Sequence, residues 1–228
     1  SSFATYSVVH KNSIIRVDKD LELDILGPLG CGIQTGAGAV LNRLKPVAGS
    51  SLVVFGCGTV GMSAIMAAHL CPCKNIIAVS GNEESLALAK ELGATHGINR
   101  KTCGDVVAEI KKITGGGADY AIDTSGVPDM VKKALASVKF LGTAVVLGVT
   151  GDLTINVQEE LMGEGKSLIG IVEGDSNPKL FIPQLISYYK EGRFPFDRLI
   201  HVYDFNDINE AFHASHSGKV IKALLKMN

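Results

Sequence analysis

Neither sign of charge is in excess: 22 Lys and Arg stand against 23 Asp and Glu in 228 residues, a formal net charge of -1. A nucleic-acid partner needs a basic footprint and an anionic membrane a cationic face, so neither is expected. No apolar run reaches the ~18 residues of a spanning helix. Residues 1–11 are too polar to read as a signal peptide, and the default expectation is a cytoplasmic location. The five cysteines, Cys31, Cys57, Cys71, Cys73 and Cys103, are an odd number in a chain far above disulfide-scaffold size, so reduced thiols are expected. Cys71 and Cys73 are one residue apart rather than the roughly two to four usual in structural zinc sites, and no second pair lies nearby, so they read as loop. The histidines make no metal constellation either: His213 and His216 are i, i+3 on an expected helix without a third ligand, and His10, His69, His96 and His201 are scattered. Internal repeats and low-complexity tracts are absent.

What is present is the material of a globular core, with 46% hydrophobic and 20% charged residues. Short apolar runs at 52–55, 76–79, 120–122, 143–147 and 168–172 read as strands. Between them, 60–70, 83–92, 105–113 and 128–138 carry apolar residues near i, i+3 and i+4, the helical period. Strands apolar without alternation are buried on both faces, and right-handed crossovers put helices on both sides of a parallel sheet. The expected class is a doubly wound α/β fold. The ends differ. Residues 5–9 and 14–17 are short extended stretches without a partner strand. After residue 173 come a helix at 181–189, a short strand around 199–203 and a last helix near 206–215, which read as parts of another domain wrapped around the first.

The chemistry concentrates in Gly56-Cys57-Gly58-Thr59-Val60-Gly61, a G-x-G-x-x-G that directly follows a strand and opens a helix. Gly56 permits the tight turn, Gly58 lets a pyrophosphate approach the backbone and Gly61 lets helix pack on sheet, while the helix N-terminus offers free N–H groups. In that context the motif points to dinucleotide binding. About 20 positions on, an acid normally holds the adenosine ribose. Ser80 stands there instead, followed by Gly81 and Asn82. A hydroxyl still bonds ribose but does not repel a 2′-phosphate, and no Arg or Lys occurs in 81–85, so NAD is expected with NADP left possible. Glu83 and Glu84 read as complements to a helix dipole.

These residues, together with Ser2-Phe3-Ala4-Thr5-Tyr6, Gly30-Cys31-Gly32-Ile33-Gln34-Thr35-Gly36, Leu88-Ala89-Lys90-Glu91-Leu92-Gly93-Ala94-Thr95, Asp123-Thr124-Ser125-Gly126 and His216-Ser217-Gly218-Lys219-Val220-Ile221-Lys222, resemble the zinc-containing medium-chain alcohol dehydrogenases. Val172-Glu173-Gly174 and the run 190–197 look most like the aryl-alcohol (benzyl alcohol) branch. The resemblance implies a Rossmann domain at 32–172, flanked by remnants of a GroES-like catalytic domain at 1–31 and 173–228. It implies Cys31 as a ligand of a catalytic zinc, Thr35 as a catalytic residue lining the nicotinamide with Val60, and Lys222 facing the pyrophosphate. Gly56, Gly58, Thr59, Gly61, Ser80, Asn82, Thr124 and Val149 complete the expected cofactor contacts.

The implied reaction is NAD-dependent oxidation of a primary, aromatic alcohol to its aldehyde, with zinc as Lewis acid. The family's other zinc ligands precede the segment matched by Ser1, so the 228 residues alone are expected to be inactive. A homodimer or dimer-based tetramer is expected through the strand at 168–172. Two rivals stay open: a zinc-free quinone or enoyl reductase of the same broad family, and a dinucleotide-binding module without chemistry.

Overall fold

Helix α1 (Gly32–Gly38), prolonged by a π-helical stretch Ala39–Leu44, leads into strand β1 (Ser51–Phe55). There follow α2 (Thr59–Leu70), β2 (Asn75–Ser80), α3 (Glu83–Glu91), β3 (His96–Asn99), α4 (Val106–Thr114), β4 (Ala118–Asp123), α5 (Pro128–Ser137), β5 (Val138–Val146) and β6 (Ser167–Gly170). This computed structural model describes residues 3–227. Ser1, Ser2 and Asn228 lie outside the described residues, and with Ser2 the first residue of the matched amino-terminal stretch. All six strands run parallel in the order β3-β2-β1-β4-β5-β6. The order reverses between β1 and β4, so their carboxyl ends open a crevice there.

Burial explains the layering. β1 has no exposed residue, and its side chains alternate between two cores. Leu52 and Val54 join α1, α2, α3 and the later helix α6 (Pro178–Lys190) on one face. Val53 and Phe55 join α4 and α5 on the other. Helix α2 is buried along Gly61–Ala68 because α1 covers the side that the sheet does not. The two helices touch through glycine: a Cβ on Gly36 would lie 2.0 Å from the Val60 carbonyl oxygen. The expected doubly wound fold is present.

Two strands escaped the sequence reading. β3 carries one buried apolar residue, Ile98, and is held by pairing to β2 rather than by an apolar run. The other is β8 (Lys222–Lys226), which pairs in parallel with β7 (Ile200–Asp204) across α7 (Ile208–Ser217) to form a separate two-stranded sheet. β6 ends at Gly170, two residues sooner than expected, and Val172 is exposed. The stretches 5–9 and 14–17 form no strand and are separated by a 3-10 turn, Lys11–Ser13. The amino-terminal segment meets the carboxyl-terminal one through ion pairs, Lys190 with Asp18 and Asp20 and Lys226 with Asp24, all surface contacts of small individual weight.

Candidate dinucleotide-binding site

The glycine loop sits at the switch point between β1 and α2. Gly56 has φ +98°, a left-handed conformation that favours glycine, and its amide donates to the Val79 carbonyl at 2.9 Å. Gly61 lies under the loop: a Cβ there would fall 1.9 Å from the Gly56 oxygen. Gly58 differs, because a Cβ on it would meet nothing within 4 Å. It is exposed and precedes the first turn of α2, so the free N–H groups of that turn face open space. Such a cradle fits an anionic pyrophosphate. Thr59 and Val60 are half-buried in this turn, and the Thr59 hydroxyl donates to the Ile221 carbonyl at 3.1 Å. That bond sets Lys222, the next residue, beside the α2 N-terminus.

The far wall comes from the carboxyl end of β4. The Thr124 hydroxyl lies 3.0 Å from the Phe55 oxygen and 3.2 Å from the Gly56 oxygen, so it clamps the glycine loop from beneath. Asp123 is fully buried, and its carboxylate accepts from the Ser125 hydroxyl at 2.6 Å and the Gly126 amide at 3.1 Å. Val149, beyond β5, is almost wholly exposed, with its carbonyl against Gly126. Asp123→Ala removes the buried acceptor that anchors the exposed Ser125 and the half-buried Gly126. We expect a loss of about 2–3 kcal/mol of stability, measurable by urea denaturation, from losing hydrogen bonds to a charged group.

At the other end of the crevice, Cys31 caps α1 and is exposed, so it is not a buried core cysteine. Burial of its neighbourhood and then the Glu173 carboxylate beside it raise its thiol pKa, while Lys222 opposes the rise. Glu173 accepts from the Gln34 amide at 2.9 Å and sits 3.5 Å from the Thr35 hydroxyl. Thr35 itself is buried. Thus Cys31, Gln34, Thr35, Glu173 and Lys222 form one neighbourhood, of which Gln34 and Glu173 were not identified as site residues in the sequence. Glu173 arrives from a left-handed run in which it, Gly174 and Asp175 all have positive φ. Among the described residues no group of three or more His, Cys, Asp or Glu could hold a metal ion. Cys31 offers one donor where a catalytic zinc takes about three protein ligands, so these residues do not by themselves fit the metal.

The outer end of the crevice is built by the ends of β2 and β3. Ser80 receives the Asn82 amide at 3.2 Å. The Asn82 side chain caps α3, accepting from the amides of Glu84 and Ser85 at 2.8 and 3.1 Å. Arg100 and Lys101, which were not identified in the sequence, line this end of the cleft with Ser80 and Gly81. Cys57 lies beneath, where burial pushes its thiol up to about 12, partly offset by a hydrogen bond with Ser80. Its folded pKa is raised, so its contribution to stability is whole below the ordinary thiol value of 9.0 and is lost as pH rises towards 12. Cys57→Ala should flatten that alkaline loss, read as denaturation midpoints at about pH 8 and about pH 10.5.

A parallel sheet in this order, with a glycine loop at its switch point, defines a Rossmann-type α/β domain. The chain belongs to the zinc-binding dehydrogenase family, whose pattern its residues 59–187 match. It is similar to a geraniol dehydrogenase from Castellaniella defragrans, at 42% identity over 227 residues, covering 99% of this chain and 61% of that protein. The structure of benzyl alcohol dehydrogenase from Acinetobacter calcoaceticus superposes with TM-score 0.91 at 45% identity, covering 94% of this chain and 59% of that one. An alcohol dehydrogenase zinc-binding domain protein from Burkholderia ambifaria gives TM-score 0.90 at 47% identity, covering 94% and 58%. The chain therefore spans less than two thirds of the length of these relatives. Among the described residues no helix is long and apolar enough to cross a membrane.

Proposed function

We propose that the chain provides the dinucleotide-binding part of an alcohol dehydrogenase that oxidises a primary, aromatic alcohol to its aldehyde. The observation that carries this reading is the open cradle at Gly58, with Cys31, which caps α1, and Thr35 within α1 at the inner end of the same crevice. The relatives' named substrates, benzyl alcohol and geraniol, support a primary alcohol. When bound, the nicotinamide supplies the hydride acceptor. The protein's part is positional: Gly58 and the first turn of α2 hold the pyrophosphate, Lys222 adds positive charge, and Thr124 and Asp123 fix the loops. Thr35 and Val60 border the nicotinamide end. NAD and NADP share that end, and their difference is felt only at the adenosine ribose.

Cys31 would contribute one thiolate to a catalytic zinc. Further ligands would have to come from outside the described residues, so these 228 residues alone should hold no stoichiometric zinc and oxidise no alcohol. Elemental analysis with an alcohol-oxidation assay checks this, and stoichiometric metal with turnover would overturn it. Dinucleotide binding is tested by titrating the chain with NADH and NADPH and following nicotinamide fluorescence. Absence of binding by both would end the reading.

The assignment of 32–172 to the nucleotide domain, with 1–31 and 173–228 as catalytic-domain remnants, is supported by the ion pairs that join the two flanking segments to each other. β6 is the outermost strand with one edge unpaired, which favours a two-fold dimer closed through it. Sedimentation velocity at micromolar concentration should show a dimer or a dimer-based tetramer, and a strict monomer would count against that assembly.

A further inference from the structure

We propose that the outer end of the crevice is a phosphate site, and that the chain takes the 2′-phosphorylated dinucleotide, NADP(H), in preference to NAD(H). The proposal rests on the dinucleotide reading and extends it to the group that distinguishes the two cofactors. Two cations meet at the place where a ribose-binding carboxylate would otherwise stand. Strand pairing sets Ser80 opposite Asn99, and the Arg100 amide donates to the Ser80 carbonyl at 2.9 Å. The turn after β3 is tightened by the Asn99 side chain, which accepts from the Lys101 amide at 2.9 Å. Arg100 and Lys101 are thereby fixed at the level of Ser80 although they lie some twenty residues further along the chain.

Gly81 makes room for them. A Cβ there would come within 2.8 Å of Lys101 Cε and 3.4 Å of Arg100 Nε, so both side chains lie across the bare backbone of this residue. They line a cleft of about 420 Å³ together with Ser80, Asn82 and Ser217, and no Asp or Glu lines it among the described residues. Glu83, the adjoining acid, is engaged by the Asn99 side-chain amide. Neither Arg100 nor Lys101 has an ion-pair partner among the described residues. A guanidinium and an ammonium beside a hydroxyl, with the acid replaced by Ser80, suit a phosphate monoester on the ribose: Arg forks onto two oxygens and Lys adds a point charge. The Ser80 hydroxyl donates a further hydrogen bond.

The test uses the adenosine halves of the two cofactors, 5′-AMP and adenosine 2′,5′-bisphosphate, titrated calorimetrically into the full chain. The bisphosphate should bind at least about tenfold more tightly, and the advantage should shrink with added salt. Arg100→Ser with Lys101→Ala should lower bisphosphate affinity by about tenfold or more, against less than about threefold for 5′-AMP. Gly81→Val, which displaces both side chains without touching either charge, should shift the two ligands in the same unequal way. Circular dichroism and thermal melting of each variant confirm folding. Equal affinity for both ligands, or tighter 5′-AMP binding, overturns the phosphate site while leaving dinucleotide binding intact. If neither ligand binds, the dinucleotide reading falls and the proposal falls with it.

Discussion

Gly61→Ala should destabilise the fold by about 2 kcal/mol or more, whereas Gly58→Asp should leave stability unchanged or slightly raised and strongly weaken dinucleotide binding. The two glycines belong to one motif and fail in opposite ways because their surroundings differ. At Gly61 the added methyl lands 1.9 Å from the Gly56 carbonyl oxygen, against backbone that cannot swing aside, so α2 has to lift from the loop. The gain in helix propensity from Gly to Ala, about 1 kcal/mol, only partly offsets that. At Gly58 the backbone is extended, φ -84° and ψ -168°, and the space around a Cβ is empty. Aspartate is a favoured N-cap there, and its charge suits the helix dipole. The same carboxylate occupies and electrostatically closes the place into which the pyrophosphate must come. Affinity for NADH or NADPH should drop by about a hundredfold or more, ~2.7 kcal/mol. Thermal melts and fluorescence titrations of both variants check the pair; retained binding by Gly58→Asp would remove Gly58 from the site.

The contrast between these glycines also shows what can be read along a chain. β1 is legible because five consecutive buried residues leave no other reading for an apolar run before a glycine loop. The loop is legible because its function depends on spacing within six residues. β3 is not, since His96-Gly97-Ile98-Asn99 has one buried apolar side chain and gains its strand character from β2. The cations of the outer crevice follow from that omission. A search for Arg or Lys beside Ser80 that covers only residues 81–85 finds none, because Arg100 and Lys101 reach it laterally, through the pairing of β2 with β3. Glu173 is hidden for a similar reason. It lies 138 positions beyond Thr35 and reaches it only because two glycines let separate segments cross in contact.

That crossing, like the approach of Gly36 to Val60, leaves no room for a Cβ, and Gly174→Ala should cost about 3 kcal/mol. Gly174 has φ +68°, where an alanine pays about 1–2 kcal/mol for the left-handed conformation alone. A Cβ there would also lie 2.3 Å from the Gln34 carbonyl oxygen and 2.8 Å from Gly38 Cα. From the opposite side, a Cβ on Gly38 would lie 2.3 Å from the Gly174 oxygen, although Gly38 itself is ordinarily helical at φ -69°. Gly38→Ala thus tests the steric part without the conformational part, and about 1–3 kcal/mol is expected from overpacking. Once either methyl has separated the segments, the second meets a contact already opened, so the double variant should lose clearly less than the sum of the singles. The consequence reaches the site. Separation draws Glu173 away from Gln34 and Thr35, and the Cys31 thiol loses the carboxylate that helps raise its pKa. Cys31 should therefore react faster with an alkylating reagent at fixed pH in either glycine variant than in the parent chain. Additive destabilisation with unchanged Cys31 reactivity would show that the glycine contact does not hold Glu173 in place.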